Sequence, residues 1–269
     1  MIDYMISVVL ATYNEEKNIE QCLKSVTGFA DEIVVVDGNS TDKTASLANN
    51  LGAKVITTTN KTNFHINKQM AIDAAQGEVI LQLDADEVAD AQLKEFIEKL
   101  HYDRVVGKAV PLDSQPVAWW VRRKNFFMGG FLKKGGQYPD PVIRLFIKGK
   151  ARLPQRDVHE QMRVKGEVGW AQGHLIHYSN PTFSDYWRKF KTYTSFQAHQ
   201  LKRRNFRINI FSLVNYLLIK PVITFFKLFI RHLGILDGLR GLVFAFMSAL
   251  HHPVVIIKLI NLKLTTNQK

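Results

Sequence analysis

Three carboxylate side chains lie within four residues of the chain, directly after a short, mostly apolar segment. The segment is residues 79–83, and Asp84, Asp86 and Glu87 follow it. An apolar run bounded by Gly77 and by acids is typical of a central, buried strand. Clustered carboxylates repel one another and need a cation, and oxygen ligands favour Mg²⁺ or Mn²⁺, which in turn bind a diphosphate. Asp-x-Asp also occurs in solvated turns, so its position after a buried strand is what favours a functional site.

The first 84 residues alternate strand-like and helical patterns. Strands are predicted at residues 6–11, 33–36, 54–57 and 79–84, with helices between them. This alternation is typical of an α/β fold with a parallel sheet. The segment lacks both the Gly-x-Gly-x-x-Gly turn and the P-loop sequence. A metal ion held by carboxylates is therefore expected to bind phosphates in their place.

Polar residues follow the first two predicted strands. Thr12, Asn14 and Glu15 come after the first strand, and Asp37 ends the second. In open α/β sheets, ligands bind at the carboxyl ends of the strands, so Asp37 is placed to contact a base or a ribose. Asn14 has a second interpretation, as the N-cap of the following helix, and Asp42 is interpreted as a helix cap only.

Three motifs resemble the signatures of the family 2 glycosyltransferases. They are Val-Leu-Ala-Thr-Tyr-Asn-Glu at 9–15, Val-Val-Val-Asp-Gly-Asn-Ser-Thr-Asp at 34–42, and Leu-Asp-Ala-Asp-Glu at 83–87. Their order and spacing match as well, and the resemblance covers roughly residues 5–100. It implies the nucleotide-diphosphosugar transferase fold, also called glycosyltransferase A, in which a mostly parallel sheet carries the site.

The resemblance also implies a role for each motif residue. The residues that would border the nucleotide are Thr12, Asn14 and Glu15, with Asp37 at the uracil or ribose, Lys68 beside the nucleotide, Asp84 at the ribose or metal, and Asp86 on the metal. Lys68 stands where the family often has arginine. Lysine keeps the positive charge but lacks the planar fork of a guanidinium.

Two further segments resemble a branch of the family that builds the lipopolysaccharide core by transferring glucose to a heptose. They are Asp-Val-His-Glu at 157–160 and Leu-Ile-His-Tyr at 175–178. Inverting transfer needs a base near the acceptor hydroxyl. The family pattern makes Glu160 the first choice for that base and Asp157 the second. His177 is interpreted either as a further metal ligand or diphosphate contact, or as an ordinary hydrogen-bonded histidine.

The segment around residues 119–130 mixes aromatic rings with cations and has two interpretations. Its aromatic faces and its arginines are suited to binding an acceptor sugar and its phosphates. Alternatively, Trp119 and Phe126 belong to the core, and residues 122–124 form a solvated face.

The C-terminal segment 206–269 is both basic and apolar. It contains eight lysine or arginine side chains and one carboxylate, Asp237, in a chain of formal net charge +12. Such a combination favours an anionic membrane surface over a nucleic acid. Its apolar arms, at 208–230 and 239–262, are interrupted by lysine, histidine and proline. Helices lying in the membrane interface fit them best; a re-entrant hairpin and a soluble helical pair are the alternatives.

Residues 186–204 are predicted to form an amphipathic helix.

The single cysteine, Cys22, excludes an internal disulfide framework and a cysteine zinc cluster, and fits a reducing compartment. No signal peptide is predicted. We expect a catalytic domain at 1–205 and a helical, membrane-associating tail at 206–269.

These patterns and the resemblance to family 2 together imply a metal-dependent, inverting hexosyltransferase at the cytoplasmic face of the inner membrane. The expected donor is a UDP-sugar, with glucose favoured, and the expected acceptor is a lipid-linked saccharide such as lipopolysaccharide inner core. A transferase that makes a polyprenyl-phosphate sugar is one alternative. A catalytically silent, membrane-associated binding protein of the same fold is another, and a nucleic-acid binder is disfavoured because no recognised module is present.

Overall fold

The computed structural model describes residues 5–61, 63–106, 115–154 and 161–267. The strands in these ranges are β1 Ile6–Thr12, β2 Glu32–Asp37, β3 Lys54–Thr57, β4 Val79–Leu83, β5 Glu87–Ala89, β6 Ala118–Phe127, β7 Gly130–Phe131, β8 Asp140–Ile147, β9 Ala151–Arg152, β10 Arg163–Val164 and β11 Val168–Asn180. The helices are α1 Ile19–Lys24, α2 Thr44–Asn50, α3 Phe64–Ala74, α4 Ala91–Val105, α5 Phe183–Arg203, α6 Ile210–Val214, α7 Lys220–Phe226 and α8 Gly238–Asn267.

The main sheet has a parallel half and an antiparallel half. Its strand order is β3-β2-β1-β4-β8-β6-β11-β5, and β7 pairs with the end of β6. The first four strands in this order are parallel, whereas β8 is antiparallel to β4, and β5 is antiparallel to β11. The predicted α/β fold is confirmed, including all four strands of the N-terminal parallel segment.

Two apolar clusters cover the two faces of the sheet because successive strand residues point to opposite sides. In β1, Val8 and Leu10 belong to one cluster and Val9 to the other. The first cluster includes apolar side chains of α1, α2 and α4, and the second includes side chains of α3. Leu10 and Leu81 are fully buried, and each contributes about 2 kcal/mol of transfer free energy.

The start of α4 fixes the position of β11. Asp90 Oδ1 accepts hydrogen bonds from Leu93 N and from His174 N, both at 2.9 Å. Gly173 has φ of +84° where β11 passes this helix end, and a Cβ there would lie 2.1 Å from Leu93 N. This contact sets the register in which His177 of β11 lies opposite Glu87 of β5.

By compactness the chain divides into two units. One consists of residues 1–123 and 141–177, and the other of residues 124–140 and 178–269. We call these the catalytic unit and the helical unit. The boundary predicted at residue 205 concerned function rather than compactness, and it stays a prediction.

The helical unit contains the predicted amphipathic helix and two apolar helical arms. In α5, Phe190, Thr194 and Ala198 of the predicted apolar face are buried, whereas Trp187 of that face is exposed. The first arm, Ile210–Arg231, has a mean hydropathy of 1.7, and 6% of its most apolar window is buried. The second, Gly234–Thr265, has a mean hydropathy of 1.8 with 33% buried. Both arms are long and apolar enough to cross a membrane, a criterion that core helices of soluble proteins also meet.

Wider, π-helical turns lie on both sides of α7, at Asn215–Ile219 and Lys227–Arg231. Pro221 is in the first turn of α7 and has no N–H to donate to the preceding turn. A locally widened turn is a common accommodation of such a break in the helical ladder.

We expect the substitution Gly173→Ala to destabilise the catalytic unit strongly, because it adds a steric clash to the strain of a positive φ. Gly52→Ala is the matched control, since Gly52 has φ of +83° with open space around the Cβ position. The control isolates backbone strain, about 1 kcal/mol. Gly173→Ala should lose at least about 2 kcal/mol more in the free energy of unfolding by denaturant titration. Equal losses in the two variants would contradict this account.

Candidate active site at the strand ends

The carboxyl ends of three neighbouring strands meet at one edge of the sheet. In the parallel register, Thr12 of β1 lies opposite Asp37 of β2, and Leu10 of β1 lies opposite Leu83 of β4. Asp84, which follows Leu83, therefore reaches the same edge as Thr12 and Asp37. The strand register thus brings together three of the side chains singled out in the sequence.

Asp37 is buried and organises the turn after β2. Its carboxylate accepts hydrogen bonds from Ser40 N at 2.8 Å, Ser40 Oγ at 2.6 Å and Thr12 Oγ1 at 3.3 Å. Gly38 N donates to Thr12 O at 2.8 Å, which ties the turn to β1. In this structure Asp37 shapes the loop that would border a nucleotide, and its direct contact with uracil or ribose stays a prediction.

The loop after β1 is tied to the loop after β2. Asn14 has φ of 55°, and its Oδ1 accepts a hydrogen bond from Thr41 N at 2.8 Å. Glu15 Oε2 accepts one from Asn18 Nδ2 at 2.7 Å. Helix α1 begins at Ile19 with Asn18 at the N-cap position, so the interpretation of Asn14 as N-cap is wrong. The left-handed backbone at Asn14 turns the chain before the helix begins.

Asp84 is paired with two buried cations. Its Oδ1 contacts Lys68 Nζ, and its Oδ2 accepts a short hydrogen bond from the Arg144 guanidinium. Burial by itself would raise the pKa of Asp84, but Arg144 and then Lys68 outweigh it and hold that pKa well below its usual range. Burial lowers the pKa of Lys68, and the charge of Asp84 opposes this change. Asp84 is therefore a fixed negative charge between two positive ones.

Glu87 is a fully buried carboxylate that joins this pair to the main chain. It accepts hydrogen bonds from Asp84 N at 2.9 Å, Arg144 Nη2 at 3.2 Å and Arg123 Nη1 at 3.2 Å. Because Glu87 bonds to Asp84 N, it also fixes the turn that carries Asp86. We call Lys68, Asp84, Glu87, Arg123 and Arg144 the strand-end ion network.

The network corrects one step of the sequence analysis. The carboxylates after β4 were expected to need a metal cation because they repel one another. In the structure, Asp84 and Glu87 are neutralised by Lys68, Arg123 and Arg144. The sequence does not reveal these partners because the three cations come from other elements of the fold, α3, β6 and β8.

Asp86 and His177 are the pair best placed to share a metal ion. His177 Nε2 lies 3.5 Å from Asp86 Oδ2, and both side chains are partly exposed. Among the described residues, no group of three histidine, cysteine or acidic side chains is arranged to hold a metal. One carboxylate and one imidazole fit Mn²⁺ or Mg²⁺ only when water and substrate phosphate oxygens supply the other ligands. The donor set fits a metal that binds together with a diphosphate.

The two candidates for the acceptor base, Glu160 and Asp157, lie outside the described residues. Their role stays a prediction from the family resemblance.

In the aromatic and cationic segment of β6, one side chain lies in the core and two arginines contact other residues of the fold. Trp119 is 5% exposed and belongs to the core, as one of the two interpretations held. The Arg122 guanidinium lies 4.6 Å from the ring centroid of Trp170, and Arg123 pairs with Glu87. The interpretation of these two arginines as part of a solvated face is therefore wrong.

Arg144 is the central side chain that the sequence analysis did not place in this site. The signal was present, since Arg144 is the one cation of β8 and has apolar residues on both sides. An arginine that is 8% exposed in a strand needs an anionic partner. The partner could not be identified from the sequence because β8 pairs with β4 across a separation of 60 residues between Arg144 and Asp84.

Comparison with known proteins identifies the family. The profile described as "Glycosyl transferase family 2" matches residues 7–163. The lipopolysaccharide core biosynthesis glycosyltransferase LpsC of Rhizobium meliloti (strain 1021) is 27% identical over 262 residues, which cover 91% of this chain and 90% of that relative. An uncharacterized glycosyltransferase of Rickettsia prowazekii (strain Madrid E) is 24% identical over 269 residues, covering 96% of this chain and 88% of the relative.

Solved structures give a more distant likeness. Glucosyl-3-phosphoglycerate synthase from Mycobacterium tuberculosis, in a crystal structure with Mn²⁺, uridine diphosphate and glucosyl-3-phosphoglycerate, is 23% identical at a TM-score of 0.34. The match covers 47% of this chain and 45% of that one. A likeness at this level carries no argument about the site.

We expect Glu87→Gln to destabilise the protein by about 3 kcal/mol, because the substitution removes the buried carboxylate that pairs with Arg123 and Arg144. Glu20→Gln is the matched control, since the Glu20–Lys24 pair is exposed on α1. The control should change the free energy of unfolding by only a few tenths of a kcal/mol. Denaturant unfolding of both variants tests this, and an equally small effect of Glu87→Gln would mean that the network is not energetically coupled to the fold.

Proposed function

Since this chain belongs to glycosyltransferase family 2, we propose that it transfers a sugar from a UDP-sugar to a lipid-linked saccharide. The observation that carries the proposal is the convergence of Thr12, Asp37 and Asp84 at one sheet edge, with Asp86 and His177 beside them. Lipopolysaccharide core as the acceptor is supported by the similarity to LpsC, which extends over nine-tenths of both chains. Glucose as the sugar, and the inner core in particular, follow from the resemblance of residues 157–160 and 175–178 to one branch of the family.

The proposed donor site uses the two linked loops and the strand-end ion network. Thr12, Asn14 and Glu15 border the nucleotide, and Asp37 contacts its uracil or ribose. Lys68 lies beside the nucleotide, where Asp84 holds its ammonium group in place. Because the network neutralises its own carboxylates, an incoming diphosphate meets a site without a large negative excess.

Asp86 and His177 would hold a Mn²⁺ or Mg²⁺ ion, with Asp84 as a further ligand if its pairing with Lys68 and Arg144 loosens. A divalent ion there supplies positive charge that stabilises the departing UDP. Because Glu87 fixes the turn after Asp84, Asp86 is held in place before the donor arrives. Preorganised charge of this kind is the main contribution a protein makes to such a displacement.

The reaction that we propose is a single displacement. The acceptor hydroxyl attacks the anomeric carbon from the face opposite UDP, so that one C–O bond forms as the bond to UDP breaks and the configuration inverts. The hydroxyl proton passes to Glu160, or to Asp157 as the second choice.

We also propose that the protein works at the cytoplasmic face of the inner membrane, bound there by residues 206–269. Several of the most exposed apolar side chains of the described chain lie in this segment: Phe211 is 81% exposed, Leu239 75% and Leu236 67%. Lysine and arginine side chains interspersed among them favour an anionic lipid surface. This arrangement suits a polyprenyl phosphate acceptor as well as a lipid-linked saccharide.

Replacing Asp86 with alanine should reduce transfer by at least about a hundredfold, since the charge at the leaving diphosphate is lost. The measurement is UDP release from a panel of UDP-sugars with Mn²⁺, Mg²⁺ or EDTA, using lipopolysaccharide core or polyprenyl phosphate as acceptor. Glu98→Ala, on the exposed face of α4, is the control and should retain activity. Binding of Mn²⁺ in the presence of UDP, followed by the electron spin resonance of free Mn²⁺, should weaken in Asp86→Ala and in His177→Gln. Near-normal turnover in Asp86→Ala would refute the metal assignment.

Exposed apolar residues of the second arm should determine membrane binding. We expect Leu236→Ser/Leu239→Ser to weaken co-sedimentation with phosphatidylglycerol vesicles by about tenfold or more, because two exposed apolar side chains are lost. Val105→Ser/Val106→Ser is the control, since those residues are exposed apolar side chains of the catalytic unit. The membrane proposal would be contradicted if wild-type protein did not co-sediment with the vesicles, or if the control lost as much vesicle binding as Leu236→Ser/Leu239→Ser.

A further inference from the structure

A two-stranded ribbon in the catalytic unit places cations opposite cations. In the antiparallel pair of β9 and β10, Arg163 lies opposite Arg152. Beyond the ladder, Lys165 N donates to Lys150 O at 2.7 Å, which places a second pair of cations across the ribbon. Like charges directly opposite each other destabilise a strand pair.

Strand alternation puts these four cations on one face of the ribbon. Ala151 is 7% exposed and belongs to the second apolar cluster, and Val164, directly opposite it, packs against the same cluster. Their neighbours along each strand therefore share the other face. A solvated face gains from alternating charges, whereas the four side chains that the structure describes on this face are all cations.

The cationic face borders a cavity of about 380 Å³. The charged residues that line the cavity are Asp73, Lys148, Lys150, Arg152, Arg163 and Lys165. They comprise five cations and one carboxylate. Within the part of the chain that the structure describes, no carboxylate lies in ion-pair distance of Lys150, Arg152 or Lys165.

The wall of the cavity that α3 contributes is fixed by hydrogen bonds. Asp73 Oδ1 accepts from Gln69 Nε2 at 2.8 Å, and Gln69 Oε1 accepts from Leu153 N at 2.8 Å. The one carboxylate in the lining is thus bound to an amide, and the link to Leu153 holds α3 against the residue that follows β9. The α3 side of the cavity is therefore fixed, and the five cations that line the rest of it are exposed side chains.

This cavity is separate from the strand-end site. Lys148 N donates to Glu78 O at 2.8 Å, and Lys148 Nζ bonds to Ala75 O, so the β8–β9 turn lies at the amino end of β4. Asp84 follows the carboxyl end of the same strand. Five strand residues at roughly 3.3 Å each separate the two ends by about 16 Å.

We propose that this cavity binds the phosphate group of an anionic ligand. Arginine guanidinium groups present two parallel N–H donors that match phosphate oxygens, and lysine adds point charge. An anion seated beside Lys150, Arg152 and Lys165 would replace the repulsion among these three cations with attraction to a shared partner. The phosphate can come from a phosphorylated saccharide or from a lipid headgroup. Phosphate binding here does not depend on the proposed transferase activity, because the cavity lies at the opposite end of β4 from Asp84 and Asp86.

The test measures phosphate binding by the full chain without donor substrate and with EDTA present. The probes are inorganic phosphate and glucose 6-phosphate by calorimetry at low ionic strength, and vesicles of phosphatidylcholine with or without phosphatidylglycerol. All vesicle measurements carry Leu236→Ser/Leu239→Ser in addition, so that binding through the tail does not mask binding at the cavity. The variant is Lys150→Gln/Arg152→Gln. The control, Lys54→Gln/Lys99→Gln, removes the same net charge from exposed positions outside the cavity.

We expect the variant to bind the probe at least about tenfold more weakly than wild type, and the control to bind within about twofold of wild type. Loss of binding to the soluble phosphates assigns the cavity to a phosphorylated saccharide. Loss that appears only with phosphatidylglycerol vesicles assigns it to a lipid headgroup. Equal binding by all three proteins, equal losses in the variant and the control, or no binding of any probe by wild type would overturn the proposal.

Melting temperatures provide a second measurement that does not require tight binding. Without phosphate, the variant should melt at or above the wild-type temperature because a like-charge contact is removed. Added phosphate should raise the melting temperature of wild type and control more than that of the variant. A uniform rise in all three proteins would indicate a general salt effect and would also overturn the proposal.

Discussion

The surrounding structure depends on the neutralisation of two carboxylates, Asp84 directly after β4 and the fully buried Glu87 of β5, because an unpaired buried charge is strongly unfavourable. The cations come from α3, β6 and β8. Each of these elements must therefore keep its position relative to the end of β4. The same constraint explains why the antiparallel half of the sheet joins the parallel half here: β8 brings Arg144 beside β4, and its guanidinium reaches both carboxylates.

This neutralisation also determines what is left for chemistry. Asp84 and Glu87 are committed to Lys68, Arg123 and Arg144, whereas Asp86 and His177 lie beside each other with partly exposed side chains. A site with two protein ligands is weak for a free metal ion and stronger for one that arrives with phosphate oxygens. Donor and metal are then expected to bind as one unit.

The cationic side chains of the protein lie in more than one place. Some of them pair with carboxylates in the strand-end ion network of the catalytic unit. Another part gathers around the cavity of the β9–β10 ribbon, and a third part accompanies the exposed apolar helices of the helical unit. The net charge of +12 is therefore not concentrated in a single patch that would bind a single partner. Each group of cations has its own geometry and its own class of anion.

The sequence by itself determined the parallel βα segment, the strand-end positions of Thr12, Asp37 and Asp84, and the apolar, basic character of residues 206–269. These follow from local periodicity and from motifs whose residues are close in the chain. Only the tertiary structure decided what neutralises the carboxylates, because Lys68, Arg123 and Arg144 reach them from distant segments. The backbone at Asn14 was likewise set by a contact with Thr41 in another loop, against its capping preference. Pairing across the sheet depends on register between distant strands, and local sequence carries no signal for such register.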